Sequence, residues 1–231
     1  MKTILKVAGL AALTGAMAAC RVDNNAEART APEAPSATST TPVTQPTSAV
    51  AYRFVTAASG NSARYRVREQ LVGVDLPNDA VGTTPGVQGV ISLDAKGNLI
   101  PAESKFTVDV SQLKSDKDRR DGFIKRRTLQ TDQYPNVTFV PTAVRGVSLP
   151  LPKSGTRTLE VAGNLTVRDQ TRPVTWKVSA KFDASSVSGS AATAFTFADF
   201  AMQQPRVPVV LSVADTIKLE LDFVMNPEVK R

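Results

Sequence analysis

The sequence predicts one all-β domain standing behind a removable leader and a polar tether. Three observations carry this: apolar residues recur with period two through most of the chain beyond Val50, turn-forming clusters separate the runs, and no helical pattern intervenes between most of them. Long amphipathic strands in this arrangement leave two architectures, a sandwich or a closed antiparallel barrel. Closure removes the exposed edges that long strands would otherwise present, so an eight-stranded barrel is the preferred reading.

The leader comes first. Lys2 and Lys6 form a basic start, Val7 to Ala19 an apolar and small-residue run, and Met17-Ala18-Ala19-Cys20 closes it. The run is shorter than the roughly 20 residues a membrane-spanning helix needs, so residues 1–19 read as a signal peptide. Cys20 is the only cysteine and stands where a lipoprotein signal peptidase would leave it N-terminal. These residues resemble the bacterial lipobox, with Met17 where Leu is commoner. Ordinary secretory cleavage at Ala16-Met17-Ala18 is the competing reading, and would leave Cys20 as an odd thiol. An exported unpaired thiol is a liability and an acylated one is not, so Cys20 is the expected lipidation site and the membrane the expected partner. Arg21, rather than Asp, follows it, which resembles outer-membrane sorting; the expected location is the cell envelope, at the periplasmic face of an outer membrane where there is one.

Residues 20–49 are the expected tether. Arg21 to Ala49 holds no aromatic residue and no Ile, Leu or Met, and it carries Pro32, Pro35, Pro42 and Pro46. Such a segment cannot repay the entropy of ordering itself, and as a flexible coil it spans about 30 Å.

The domain is expected over residues 50–227, with residues 228–231 as a tail. Strands are expected at Ala51 to Ala57, Ala63 to Val74, Val87 to Leu93, Phe106 to Ser111, Val137 to Arg145, Leu159 to Val167, Val174 to Phe182, Ser186 to Phe197 and Ile217 to Phe223. The third last of these shows the pattern well: Val174, Trp176, Val178, Ala180 and Phe182 alternate with Thr175, Lys177, Ser179 and Lys181. Turns are expected at Asp94 to Asn98, Pro150 to Gly155 and Asp183 to Ser185. Ser115 to Leu129 breaks the β pattern and suits a short helix across the barrel mouth, although Gly122 lies in its middle.

Composition restricts the chemistry. With no histidine, a Ser-His-Asp or Cys-His nucleophile, His-ligated zinc and histidine-bound haem are excluded. No carboxylate pair stands out as acid and base, so no catalytic residue and no metal ligand is assigned and the chain is not expected to be an enzyme. The formal charge of +7, part of it in the leader, is modest and favours anionic lipid headgroups over nucleic acid. No disulfide is available, so the domain must stabilise itself by burying apolar surface.

Val108-Asp109-Val110-Ser111-Gln112-Leu113, Asp118-Arg119-Arg120-Asp121-Gly122-Phe123, Tyr134-Pro135-Asn136-Val137-Thr138-Phe139 and Gly163-Asn164-Leu165-Thr166-Val167-Arg168-Asp169-Gln170-Thr171-Arg172-Pro173-Val174 occur in that order. Together with Ala198-Asp199-Phe200-Ala201 they resemble the YceI-like family over Ala51 to Val224. The resemblance implies an extended, lipocalin-like barrel that binds a long isoprenoid-type lipid or a quinone tail, and it allows a homodimer. The sequence departs from the family where Arg168-Asp169-Gln170 replaces a glycine, where Ala201 replaces the glycine of Asp-Phe-Gly, and where Pro205 to Pro208 insert a loop.

Phe106, Val108, Phe139, Leu165, Trp176, Val178, Phe195 and Phe197 are the candidate ligand-binding residues; singly each reads as core, and as a set the resemblance makes them a cavity lining. Arg120 and Asp121 are the pair expected to fix the helical segment or meet a headgroup. The segment's charges read either as lipid-facing or as a solvated helix with pairs such as Asp116 to Arg119 and Asp121 to Lys125. The expected function is an envelope lipoprotein binding a polyisoprenoid, quinone or similar amphiphile, with no covalent cofactor, for storage, transport or stress protection. The alternative is a scaffold docking a protein partner through its basic segment or the Pro205-Arg206-Val207-Pro208 loop.

Overall fold

A computed structural model describes residues 49–228. The leader, Cys20, nearly all of the tether and the last three residues lie outside the described residues.

Eleven strands form one antiparallel sheet: β1 (Tyr52–Thr56), β2 (Ser62–Leu71), β3 (Asn78–Thr84), β4 (Val87–Leu93), β5 (Lys105–Asp109), β6 (Lys114–Ser115), β7 (Asn136–Arg145), β8 (Gly155–Val167), β9 (Gln170–Phe182), β10 (Val187–Thr196) and β11 (Val210–Pro227). Their order is β1-β4-β5-β7-β8-β9-β10-β11-β2-β3-β6, and β1 also pairs with β11. The sheet is therefore an eight-stranded barrel whose first three strands are each broken in two, as β1/β2, β3/β4 and β5/β6. β11 is long enough to serve both halves of the first break: Asp222 back to Val210 pairs with β2, and Met225 to Pro227 pairs with β1.

Each break has a local cause. Between β1 and β2, Gly60 adopts φ 88°, and the buried Asn61 donates to Ala57 O at 2.7 Å and accepts from Val224 N at 2.9 Å. One side chain thus replaces the ladder bonds the kink removes. Between β3 and β4, Pro85 cannot donate, and buried Thr84 Oγ1 donates instead to Asp109 O at 2.8 Å. Between β5 and β6, Asp109 Oδ1 accepts from Ser111 N at 2.9 Å and turns the chain.

The gap left between short β6 and β7 is filled by helix α1 (Asp118–Phe123), which runs on into a π-helical turn over Ile124–Leu129. The expected helix is thus present but shorter, because Lys114–Ser115 pair with β3 first. The expected side-chain pairs are corrected as well. Asp116 pairs with Arg120 and Lys117, not Arg119, and Asp121 accepts from Ser115 N at 2.9 Å and Ser115 Oγ at 2.6 Å rather than from Lys125. The sequence reading omitted β3 and β6.

Dry faces point inward around the barrel. Leu159, Leu165 and Val167 of β8 and Trp176, Val178, Ala180 and Phe182 of β9 are all under 10% exposed, whereas Lys177 and Lys181 between them are exposed. The ring of Phe139 meets Trp176 edge-on with centroids 6.0 Å apart. Beside the helical end, Phe200 is fully buried and meets Phe195 at 4.6 Å.

Candidate functional site

The inward faces do not meet in the middle. They enclose a cavity of about 1160 Å³, larger than the roughly 300–1,000 Å³ usual for drug-sized ligands. Phe106 and Val108 of β5, Phe139 of β7, Leu165 of β8, Trp176 and Val178 of β9, Phe195 of β10 and Phe197 just after it all line this cavity. The structure therefore brings all eight sequence candidates together, drawn from five consecutive strands. Tyr65 and Val67 of β2, Ile91 of β4 and Ile217, Leu219 and Phe223 of β11 complete the wall, and these were missing from the sequence reading.

Two glycines make the large rings fit. A Cβ on Gly82 would strike the Tyr65 ring, and one on Gly89 would strike the Phe106 ring. Both pairs sit opposite each other in register, Tyr65 on Gly82 and Phe106 on Gly89. Each ring lies across its neighbouring strand, against the wall, and leaves the lumen open.

Arg120 lines the cavity at the helical end; Asp121 does not. Arg120 Nη2 donates to Glu69 Oε1 at 2.5 Å, and the side chains are 14% and 7% exposed. Its other nitrogen pairs with Asp116. Burial by itself lowers the guanidinium pKa, but Glu69 and Asp116 outweigh it and hold Arg120 above its ordinary value. α1 is thereby fastened to β2 through Glu69 and, through Asp121 and Ser115, to β6. Glu69 could have been found in the sequence: it is a charged residue in the inward phase of β2, following Ala63, Tyr65 and Val67.

Few other polar atoms reach the interior. Burial pushes the Tyr65 phenol above its ordinary pKa, so it stays protonated. Its oxygen and Trp176 Nε1 are buried without a hydrogen-bond partner. Among the described residues, no group of three or more Cys, Asp or Glu could hold a metal ion. Asp109 and Asp199 are turn residues rather than an acid–base pair: hydrogen bonds from Ser111 and Gln112 hold the first below the usual carboxylate range, and those from Thr196 hold the second there.

A family model described as the YceI-like domain matches residues 52–225. The chain belongs to the YceI-like family. Among solved structures, the YceI-like barrel is similar to a polyisoprenoid binding domain from Saccharophagus degradans implicated in plant cell wall breakdown, at 10% identity and TM-score 0.55, covering 78% of this chain and 100% of that one. It is also similar to Burkholderia cenocepacia BcnA, at 16% identity and TM-score 0.51, covering 71% of this chain and 95% of that one. No curated protein matches the sequence.

The departures from the YceI-like pattern have structural readings. Arg168 takes φ 56° and Ala201 φ 50°, the left-handed region that favours glycine. Arg168 uses the position: its guanidinium donates to Phe200 O at 3.0 Å, Ala201 O at 2.8 Å and Thr128 O at 3.4 Å, tying the β8–β9 turn to the π-helical turn and to the segment after β10.

Proposed function

We propose that this protein is an envelope lipoprotein that holds a long-chain amphiphile, a polyisoprenoid, a quinone or a similar lipid, inside its barrel for storage, transport or stress protection. The observation that carries the reading is the cavity of about 1160 Å³ walled by aliphatic and aromatic side chains. Water inside a cavity of this lining finds few hydrogen-bond partners, so an apolar chain fills it more favourably than water does. The barrel's likeness to the polyisoprenoid binding domain from Saccharophagus degradans supports the same ligand class.

Phe106, Val108, Phe139, Leu165, Trp176, Val178, Phe195 and Phe197 would contact the chain. The rings of Tyr65 and Trp176 carry donors that the protein leaves unsatisfied, each costing about 1–3 kcal/mol; an oxygen of the ligand would supply the missing acceptor. Arg120 and Asp121 hold the end of the site in place. Cys20 would carry the lipid anchor, which keeps the barrel beside the membrane from which such a ligand comes.

The test is to express the whole chain in a bacterial host, purify it without harsh detergent, and analyse both protein and organic extract by mass spectrometry. Diacylglycerol on Cys20 with a stoichiometric isoprenoid or quinone is the expected result. An acylated protein whose extract stays empty after incubation with quinone and polyprenol overturns the ligand reading and leaves the scaffold alternative.

A further inference from the structure

Large apolar side chains exposed to solvent are concentrated in one place on this domain. Among the described residues they are Val72 (56% exposed), Val74 (44%), Leu76 (75%), Val209 (62%) and Leu211 (65%). The first three lie in the β2–β3 connection and the last two where the chain enters β11. The two segments are joined: Val72 N donates to Val209 O at 3.1 Å, and Leu71 pairs with Val210.

This ribbon overhangs the barrel. β10 pairs with β11 only as far as Thr196 opposite Thr216, whereas the β2–β11 pairing continues to Val210 with two register shifts on the way. The overhang therefore stands beyond the rim, and it borders the cavity mouth, because Val72, Val74 and Val209 line the cavity together with Arg120. Single exposed apolar residues need no explanation; a contiguous apolar patch on a projecting tip does.

The surrounding charge identifies the occupant. Lys117 and Arg119 are exposed at the mouth, and exposed Arg206 lies between Pro205 and Val207, which line it. Against them stand Asp75, Asp116 and Asp118, with Asp116 shared by Lys117 and Arg120, so the cationic excess belongs to the helical segment as a whole. Over Lys114 to Arg127 there are seven Lys or Arg against three Asp. An apolar tip flanked by cations matches the interface of an anionic bilayer, where side chains enter the acyl boundary and cations meet phosphates.

We infer that the overhang formed by Val72, Val74, Leu76, Val209 and Leu211 is a membrane-docking surface, seated in the bilayer interface so that the cavity mouth opens directly onto lipid. It rests on the proposed function for its purpose, but its chemistry is independent of any anchor at Cys20. A long apolar ligand could then pass between bilayer and barrel without crossing water.

The test uses the full chain carrying Cys20→Ser, so that no acyl group forms there, with an environment-sensitive fluorophore on Leu76→Cys and, as control, on Lys96→Cys in the turn after β4 at the other end of the barrel. The probes are vesicles of phosphatidylethanolamine with and without phosphatidylglycerol. The Leu76 label is expected to shift to shorter wavelength and to be quenched by a shallow bilayer quencher on phosphatidylglycerol vesicles, while the Lys96 label stays unchanged. Val72→Asp and Val209→Asp should each weaken the effect about tenfold, and Lys117→Ala with Arg119→Ala and Arg206→Ala should remove its dependence on phosphatidylglycerol. Circular dichroism checks that each variant keeps its sheet. A silent Leu76 label overturns the inference, as does an equal shift at Lys96. A shift without vesicles that grows with protein concentration also overturns it, in favour of a second copy of the chain. Bound lipid is read separately by extraction: a barrel that carries lipid but does not insert fails this inference alone, and one that inserts but never carries lipid fails the proposed function alone.

Discussion

Removing Arg120 should be among the most damaging single changes to the domain, although the residue belongs to no strand. Its partner Glu69 is 7% exposed, so Arg120→Ala leaves a carboxylate in the barrel wall with no counter-charge. Such a loss costs about 3–5 kcal/mol, a large part of the roughly 5–15 kcal/mol that holds a typical domain together. For a domain of this size it corresponds to a fall in melting temperature of roughly 6–20 °C. The reciprocal change is milder: Glu69→Gln leaves Arg120 at 14% exposure with Asp116, itself 64% exposed, still beside it. The double variant should lie within about 1 kcal/mol of Glu69→Gln alone, since the cost comes from the orphaned charge. Lys181→Ala is the comparison, because its pair with Asp183 spans 3.7 Å between side chains 63% and 46% exposed and is worth at most about 1 kcal/mol. Urea unfolding followed by circular dichroism measures all four. If Arg120→Ala costs no more than Lys181→Ala, the ion pair does not hold the helical segment and the reasoning fails.

Three further outcomes follow from the geometry. Gly89→Val should push the Phe106 ring into the lumen, lowering bound lipid by mass spectrometry while the sheet signal persists; unchanged lipid content would show that the ring does not set the cavity's width. Ala201→Gly relieves a left-handed backbone strain of about 1–2 kcal/mol and loosens the unfolded chain by about 0.4–1 kcal/mol, so a net gain of roughly 0.5–1 kcal/mol is expected in urea unfolding. Stability should be flat between about pH 5 and 8, where the histidine-free chain has little to titrate, and should fall on acidification below about pH 4. Arg68 and Arg66 hold Asp79 below its ordinary pKa, and Arg66 and Arg64 hold Glu220 there against its burial. Lowered values mean stability that is present above the unfolded pKa and lost as pH falls through the folded one; a midpoint constant down to pH 3 would contradict this.

The long strands were legible because their residues obey one rule at a time. From Leu159 to Val167 in β8 and from Val174 to Phe182 in β9 every inward position is apolar or glycine and most outward ones are polar. β3 was illegible for a physical reason: its inward residues are Ala80, Gly82 and Thr84, of which Gly82 leaves room for the Tyr65 ring, while Val81 has the outward phase. Hydrophobicity alternates there out of step with burial. The helical segment was legible as an interruption, but its end was not, since the π-helical turn stops at Gln130 in a left-handed conformation that no glycine announces. The eight cavity residues were found because apolar phase and family resemblance agree on them. Phase alone could not separate a filled barrel from a hollow one, because the difference lies in where Gly82 and Gly89 let the rings lie down.

The staves of this barrel are unequally joined. β8 and β9 share thirteen register pairs without a break, whereas β11 meets the broken first strand over three pairs with β1 and nine with β2. The β1–β11 joint is reinforced by Asn61 at one end and by Arg53 gripping Glu228 at 2.5 Å at the other. β1 is also the first of the described strands, so a pull on the chain ahead of Tyr52 would enter at the short β1–β11 joint rather than at the longer one between β2 and β11. Such a pull would load three register pairs before it reached the nine that join β2 to β11, so the two halves of one broken strand would part in sequence and not together.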